Sequence, residues 1–82
     1  MTNEPTNLDQ LAQHKPAQIT GFEQGKKPLV EKLREIGFAE GDEVEILHRG
    51  LIGGSPLCVR LNSSIIALRK IEASQIQIVL HP

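Results

Sequence analysis

The side chains of this chain that could ligate a metal ion are His14, His48, Cys58 and His81, with carboxylates scattered between them. Imidazole, thiolate and carboxylate groups suit borderline divalent cations. Sites legible in a sequence bring such ligands in pairs, His-x-x-x-His or Cys-x-x-Cys, because one helix face or one tight turn then holds both. No such pair occurs here. Strand alternation sets His48 on the side of Val44 and Ile46 and Cys58 on the opposite side, so the two are expected to diverge. No metal ligands and no cofactor are assigned, and at most weak metal binding without a defined site is expected.

Covalent and acid–base chemistry fares no better. Ser55, Ser63, Ser64 and Ser74 stand in turn-forming contexts, where hydroxyls serve the backbone. No nucleophile has a base beside it, and the carboxylates fall on helix and strand surfaces. No catalytic residue is assigned, and the chain is expected not to be an enzyme. Gly25-Lys26-Lys27-Pro28 puts two lysines before a helix start, a place that attracts anions. Its spacing is not that of a phosphate-binding Gly-rich loop, and a solvated loop is the expectation. The aromatics are Phe22 and Phe38 alone, with no Trp or Tyr. That leaves no groove for proline rings and no platform for stacked bases.

What remains is apolar contact. Leu51 and Ile52 lie between Arg49-Gly50 and Gly53-Gly54, with Pro56 following. Glycine flanks let such a loop project. Two bulky aliphatics there either cap the end of the fold or meet a partner. The candidate partner-binding residues are Leu51, Ile52, Gly53, Gly54 and Pro56, together with Leu33 from the helix described next.

These residues depend on a few short elements. Pro28 suits a first helical position. Leu29, Val30, Leu33 and Ile36 follow the three-and-four spacing of one buried helical face, while Glu31, Lys32, Arg34 and Glu35 fall on the other. Gly37 ends the helix in a left-handed residue, and Phe38 packs back on Leu33. Asn7 and Gln10 have capping-box spacing, which predicts a helical turn over 8–11. Strands are expected over about 18–23, 42–49, 56–61, 64–68 and 75–80, with a 3₁₀-like turn over 70–74. Val44, Ile46, Leu57, Val59, Leu61, Ile76, Ile78 and Leu80 are expected to point inward. The fold class is mainly β: about five short strands curled into one small barrel with one inserted α-helix. A flexible N-terminal tail over 1–7 and a single domain over 8–82 complete the organisation.

The bulk properties agree. Eighty-two residues allow one domain with a small core. Nine basic against ten acidic side chains give a net charge of −1, which argues against a general polyanion binder. One cysteine allows no internal disulfide and points to a reducing compartment. No apolar run approaches a membrane span, and the polar N-terminus has no signal-peptide core.

The order of helix, Gly37-Phe38, Gly41-Asp42 and strand resembles the FeoA family, small proteins of bacterial ferrous iron uptake. Ile19-Thr20-Gly21-Phe22 resembles the family's first strand. Gly53-Gly54-Ser55-Pro56-Leu57-Cys58-Val59-Arg60 resembles its glycine-proline loop and third strand. Ala67-Leu68-Arg69-Lys70 and Ala73-Ser74-Gln75-Ile76 resemble its closing segments. The likeness runs from about Leu8 to Leu80. It implies an SH3-like barrel, a cytoplasmic location and a non-enzymatic role assisting the FeoB-type membrane permease. Docking on the cytosolic side of that permease would modulate its transport or GTPase state. The family's description as transition-metal binding comes with the resemblance and not with any ligands seen here. Neither nucleic acid nor direct membrane insertion is expected, and the oligomeric state is left open. The alternative is a small-barrel module of another class, a metal-dependent regulator domain or a nucleic-acid binder. Against it stand the missing helix-turn-helix segment and the near-neutral charge.

Overall fold

A computed structural model describes residues 6–80. The chain runs β1 (Thr6–Asn7), a 3₁₀ turn (Leu8–Gln10), β2 (Ala17–Phe22), α1 (Lys27–Ile36), β3 (Glu43–Gly50), β4 (Gly54–Leu61), β5 (Ser64–Leu68), α2 (Lys70–Ala73) and β6 (Ile76–Leu80). The strands form one antiparallel sheet in the order β1-β6-β2-β3-β4-β5. This is the mainly β architecture expected, with β1 as a short sixth strand. Of the tail expected over 1–7, the first five residues lie outside the described part. Thr6 and Asn7 are paired with Ile78 and Gln77.

The sheet curls around one core. Val44, Ile46, Leu57, Val59, Leu61, Ile76 and Ile78 all point into it, as alternation requires. Leu80, expected inward, is instead partly exposed at the end of β6. Leu8, which opens the 3₁₀ turn, and Leu11, which follows it, are both buried and join the core. Asn7 Oδ1 caps that turn by accepting from the Gln10 N–H at 3.1 Å.

Helix α1 ends as its sequence predicts. The Phe38 N–H donates to Leu33 O at 3.1 Å and the Gly37 N–H to Arg34 O at 3.1 Å, which is a Schellman ending. Gly37 has φ +129°, a region that side chains with a Cβ rarely enter. The broad apolar face expected of α1 is narrower in the fold. Leu33 is its one buried residue, Leu29 and Val30 are half-buried, and Ile36 is exposed.

A buried carboxylate helps to hold α1. Glu72 of α2 is only 3% exposed. Its Oε2 accepts from Lys32 Nζ at 2.7 Å, and its Oε1 accepts from the Arg69 N–H at 2.8 Å. Lys32, expected on the face opposite the apolar one, thus ties α1 to α2. Burial pushes the Glu72 carboxyl up, but Lys32 and the Arg69 N–H and guanidinium pull it down further, leaving it below its ordinary value. A carboxyl lowered by folding stabilises the fold above its unfolded value, and that contribution is lost as pH falls through the folded one. Glu72→Gln is therefore expected to be less stable than wild type by about 1–2 kcal/mol at neutral pH. The gap should close as the solution passes below the ordinary glutamate range near pH ~4.3. Urea midpoints of both proteins measured across this range test it, and a gap independent of pH rules the pairing out.

Candidate functional site

The hairpin of β3 and β4 carries the candidate contact residues, and its base is firmly held. The strands pair from Val44↔Leu61 to Gly50↔Gly54. Beside the tip, Arg49 reaches back to the 3₁₀ turn. Its guanidinium donates to Asp9 Oδ1 at 3.3 Å, to Leu11 O at 3.1 Å and to the Asp9 carbonyl. Gly50 sits so close to the returning strand that a Cβ would lie 2.3 Å from Ser55 O. Gly53 and Gly54 adopt φ +62° and +82°, which turn the chain back on itself. The Ser55 N–H donates to Ile52 O at 3.1 Å across the tip.

Beyond this base the aliphatics stand in solvent. Leu51 is 99% exposed and Ile52 86%. Neither packs over the barrel end. Gly53 and Pro56 are exposed beside them, and Gly54 is half-buried. The fold therefore brings Leu51, Ile52, Gly53, Gly54 and Pro56 together on one tip. It does not bring Leu33 there. Leu33 is completely buried under α1, so its place among the contact residues is corrected to the core. A helical face read from spacing does not say which of its residues the sheet covers.

The metal candidates need a second correction. His48 and Cys58 do not diverge; they are direct partners across β3 and β4. The register slips between Ile46 and His48, so two steps on β3 match one on β4. This bulge turns His48 to the outer face, where it is exposed beside the half-buried Cys58. Such a slip depends on the partner strand and cannot be read from β3 alone. Among the described residues, no three or more His, Cys, Asp or Glu side chains converge as ion ligands. The described residues do not fit a resident metal site. His14 lies apart, 3.9 Å from Glu45, and His81 is outside the described residues.

The other features carry structure. Lys26 caps α1 with its carbonyl, which accepts from the Leu29 and Val30 N–H groups at 3.0 and 3.1 Å. Ser74 Oγ donates to Ile71 O at 2.7 Å. Between β2 and α1 runs an open groove of about 560 Å³ lined by Phe22, Lys27, Val30, Arg34, Glu40 and Gln77. There Arg34 stacks 4.4 Å over the Phe22 ring and donates to both Glu40 oxygens at 3.0 and 2.8 Å. The Arg34 and Glu40 charges are thus engaged with one another.

A family model described as the FeoA domain matches residues 6–80. Among solved structures, FeoA of Stenotrophomonas maltophilia, complexed with zinc and proposed as an SH3 domain protein and ferrous iron transport activating factor, is similar. It shares 31% identity over 89% of this chain and 88% of that one, with a TM-score of 0.76. Iron(II) transport protein A of Clostridium thermocellum shares 33% identity over 92% of this chain and 45% of that one, at a TM-score of 0.80. A manganese-dependent transcriptional repressor shares the fold at a TM-score of 0.85, with 16% identity over 99% of this chain and 44% of the repressor. No curated protein matches the sequence.

Proposed function

The chain belongs to the FeoA family, and on that footing we propose that it is a non-enzymatic accessory protein of bacterial ferrous iron uptake. It docks on the cytosolic side of a FeoB-type permease and modulates that protein's transport or GTPase state. The observation that carries this reading is the bare aliphatic pair Leu51 and Ile52, held out on a hairpin whose base is fixed by Arg49 and Gly50. Fully burying one such side chain contributes about 1.5–3 kcal/mol. A tip whose flanking residues are already held before docking loses less entropy when it meets its partner. Docking changes the permease only if the tip binds one of its states better than another. A polyanion partner is disfavoured, because Arg34, Arg49 and Arg60 each pair with a carboxylate.

The double variant Leu51→Ser, Ile52→Ser is expected to keep the wild-type thermal midpoint while losing permease binding and ferrous iron uptake. Both side chains are in solvent, so the fold has no need of them. Co-purification with the permease and uptake assays in a strain lacking the native protein would check this. A folded variant with normal uptake removes the tip as the contact.

A further inference from the structure

The sheet stops at β5. Among the described residues this strand pairs with β4 alone, and the far side of the described sheet is the two residues of β1. The β4–β5 ladder has no bulge from Leu57↔Leu68 to Leu61↔Ser64. Asn62 and Ser63 connect the strands, and such a two-residue loop makes Leu61 and Ser64 a hydrogen-bonded pair. The other side of β4 agrees: the Asn62 N–H turns to β3 and donates to Glu43 O at 2.9 Å. Ser64, Ile66 and Leu68 therefore spend their backbone groups on β4. Ile65 and Ala67 direct their N–H and C=O groups to the open edge.

Proteins commonly blunt such an edge with a lysine, a proline or a bulge. β5 reads Ser-Ile-Ile-Ala-Leu and has none of these. Ile65 is 66% exposed and Ala67 is exposed beside it on the outer face. Ile66, on the inner face, packs against the core without being fully covered.

We propose that β5 is a self-association edge, on which two copies of this chain pair antiparallel about a twofold axis at Ile66. The strand's own pattern selects this occupant and this register. With Ile66 opposite Ile66 of the second copy, Ile65 meets Ala67 of the second copy, and the reverse. Those are the residues whose backbone groups face outward, so all four hydrogen bonds of the two pairs can form. A large side chain lies opposite a small one on the outer face. On the inner face the two Ile66 side chains meet as a closely spaced, non-hydrogen-bonded pair and extend the core across the join. No like charges oppose each other, since β5 carries none and the adjacent Arg60 is held by Glu43 at 3.2 Å and Glu45 at 2.9 Å. A join this short is smaller than the roughly 1,000 Å² of a stable interface, so the dimer is weak and forms with concentration.

Sedimentation and diffusion measurements on the full chain up to about 1 mM test the pairing. Wild type is expected to pass from monomer to dimer. Ile65→Lys with Ala67→Lys places lysine opposite lysine twice and should raise the dissociation constant about tenfold. Ile65→Lys with Ala67→Glu places lysine opposite glutamate twice and should restore dimerisation. A wild type that stays monomeric, a dimer indifferent to the double lysine, or a Lys/Glu variant as monomeric as the double lysine overturns the proposal. If the lysine variant fails to fold, wild type decides. In a mixture of isotope-labelled and unlabelled chains, a contact between the Ile66 Hα protons of the two copies is expected. Its absence from a dimeric sample overturns the register.

Discussion

Leu33→Ala is expected to lower the unfolding free energy by about 2–4 kcal/mol. Leu33 is the one side chain of α1 that the core fully encloses. The backbone carbonyl of Leu33 also accepts the Phe38 N–H in the helix ending, and Phe38 is itself buried. Truncation leaves a cavity at the place where α1 meets the sheet. What remains to tether α1 is the Lys32–Glu72 pair, the Arg34 stack on Phe22 and the half-buried Leu29 and Val30. In a domain whose total stability is on the order of 5–15 kcal/mol, that loss is a large fraction. Urea unfolding should show a lower midpoint with an unchanged slope, which signals lost stability without a changed denatured state. A midpoint equal to wild type means that α1 is not coupled to the barrel.

Gly50→Ala should destabilise the protein by about 1–3 kcal/mol or more, the usual range of overpacking. The added Cβ would meet Ser55 O at 2.3 Å, Ser55 C at 2.6 Å and Pro56 N at 2.8 Å. All three are backbone atoms, so no side chain can rotate away. The strands must part, and Arg49 next door is fixed to the 3₁₀ turn and resists the movement. The loss should appear as a lower thermal midpoint and faster amide exchange at Ser55, whose N–H bonds across the tip. Gly53→Ala is the control. Open space surrounds Gly53, so only its φ of +62° opposes a side chain there, and the loss should be smaller, about 1 kcal/mol. Equal midpoints for Gly50→Ala and wild type would show that the hairpin can widen freely. On the function proposed above, Gly50→Ala also weakens permease docking, because the tip no longer stands at a fixed angle.

Local signals carried much of this protein in the sequence alone. The start of α1 near Pro28, its end at Gly37 and the span of β5 depend on neighbours within a few residues, as propensity and turn chemistry do. The mainly β fold and the FeoA family were legible for the same reason, since they rest on the order and spacing of such local pieces. The exposed tip at Leu51 and Ile52 could be framed as two alternatives, and only packing could choose between them.

The rest was decided by residues distant in the chain. Lys32 finds Glu72, and Arg49 finds Asp9, each across a separation of forty residues. No periodicity within either segment announces such a partner. The bulge that turns His48 beside Cys58 is a mismatch between two strands and has no signature in either one. Leu33 and Ile36 carry the same sign of local pattern, yet one is enclosed and the other exposed, because the curvature of the sheet sets how far its cover reaches. Sequence determined which elements form and which residues could face inward. Tertiary structure decided which of them did, since burial and long-range pairing are properties of how the elements meet.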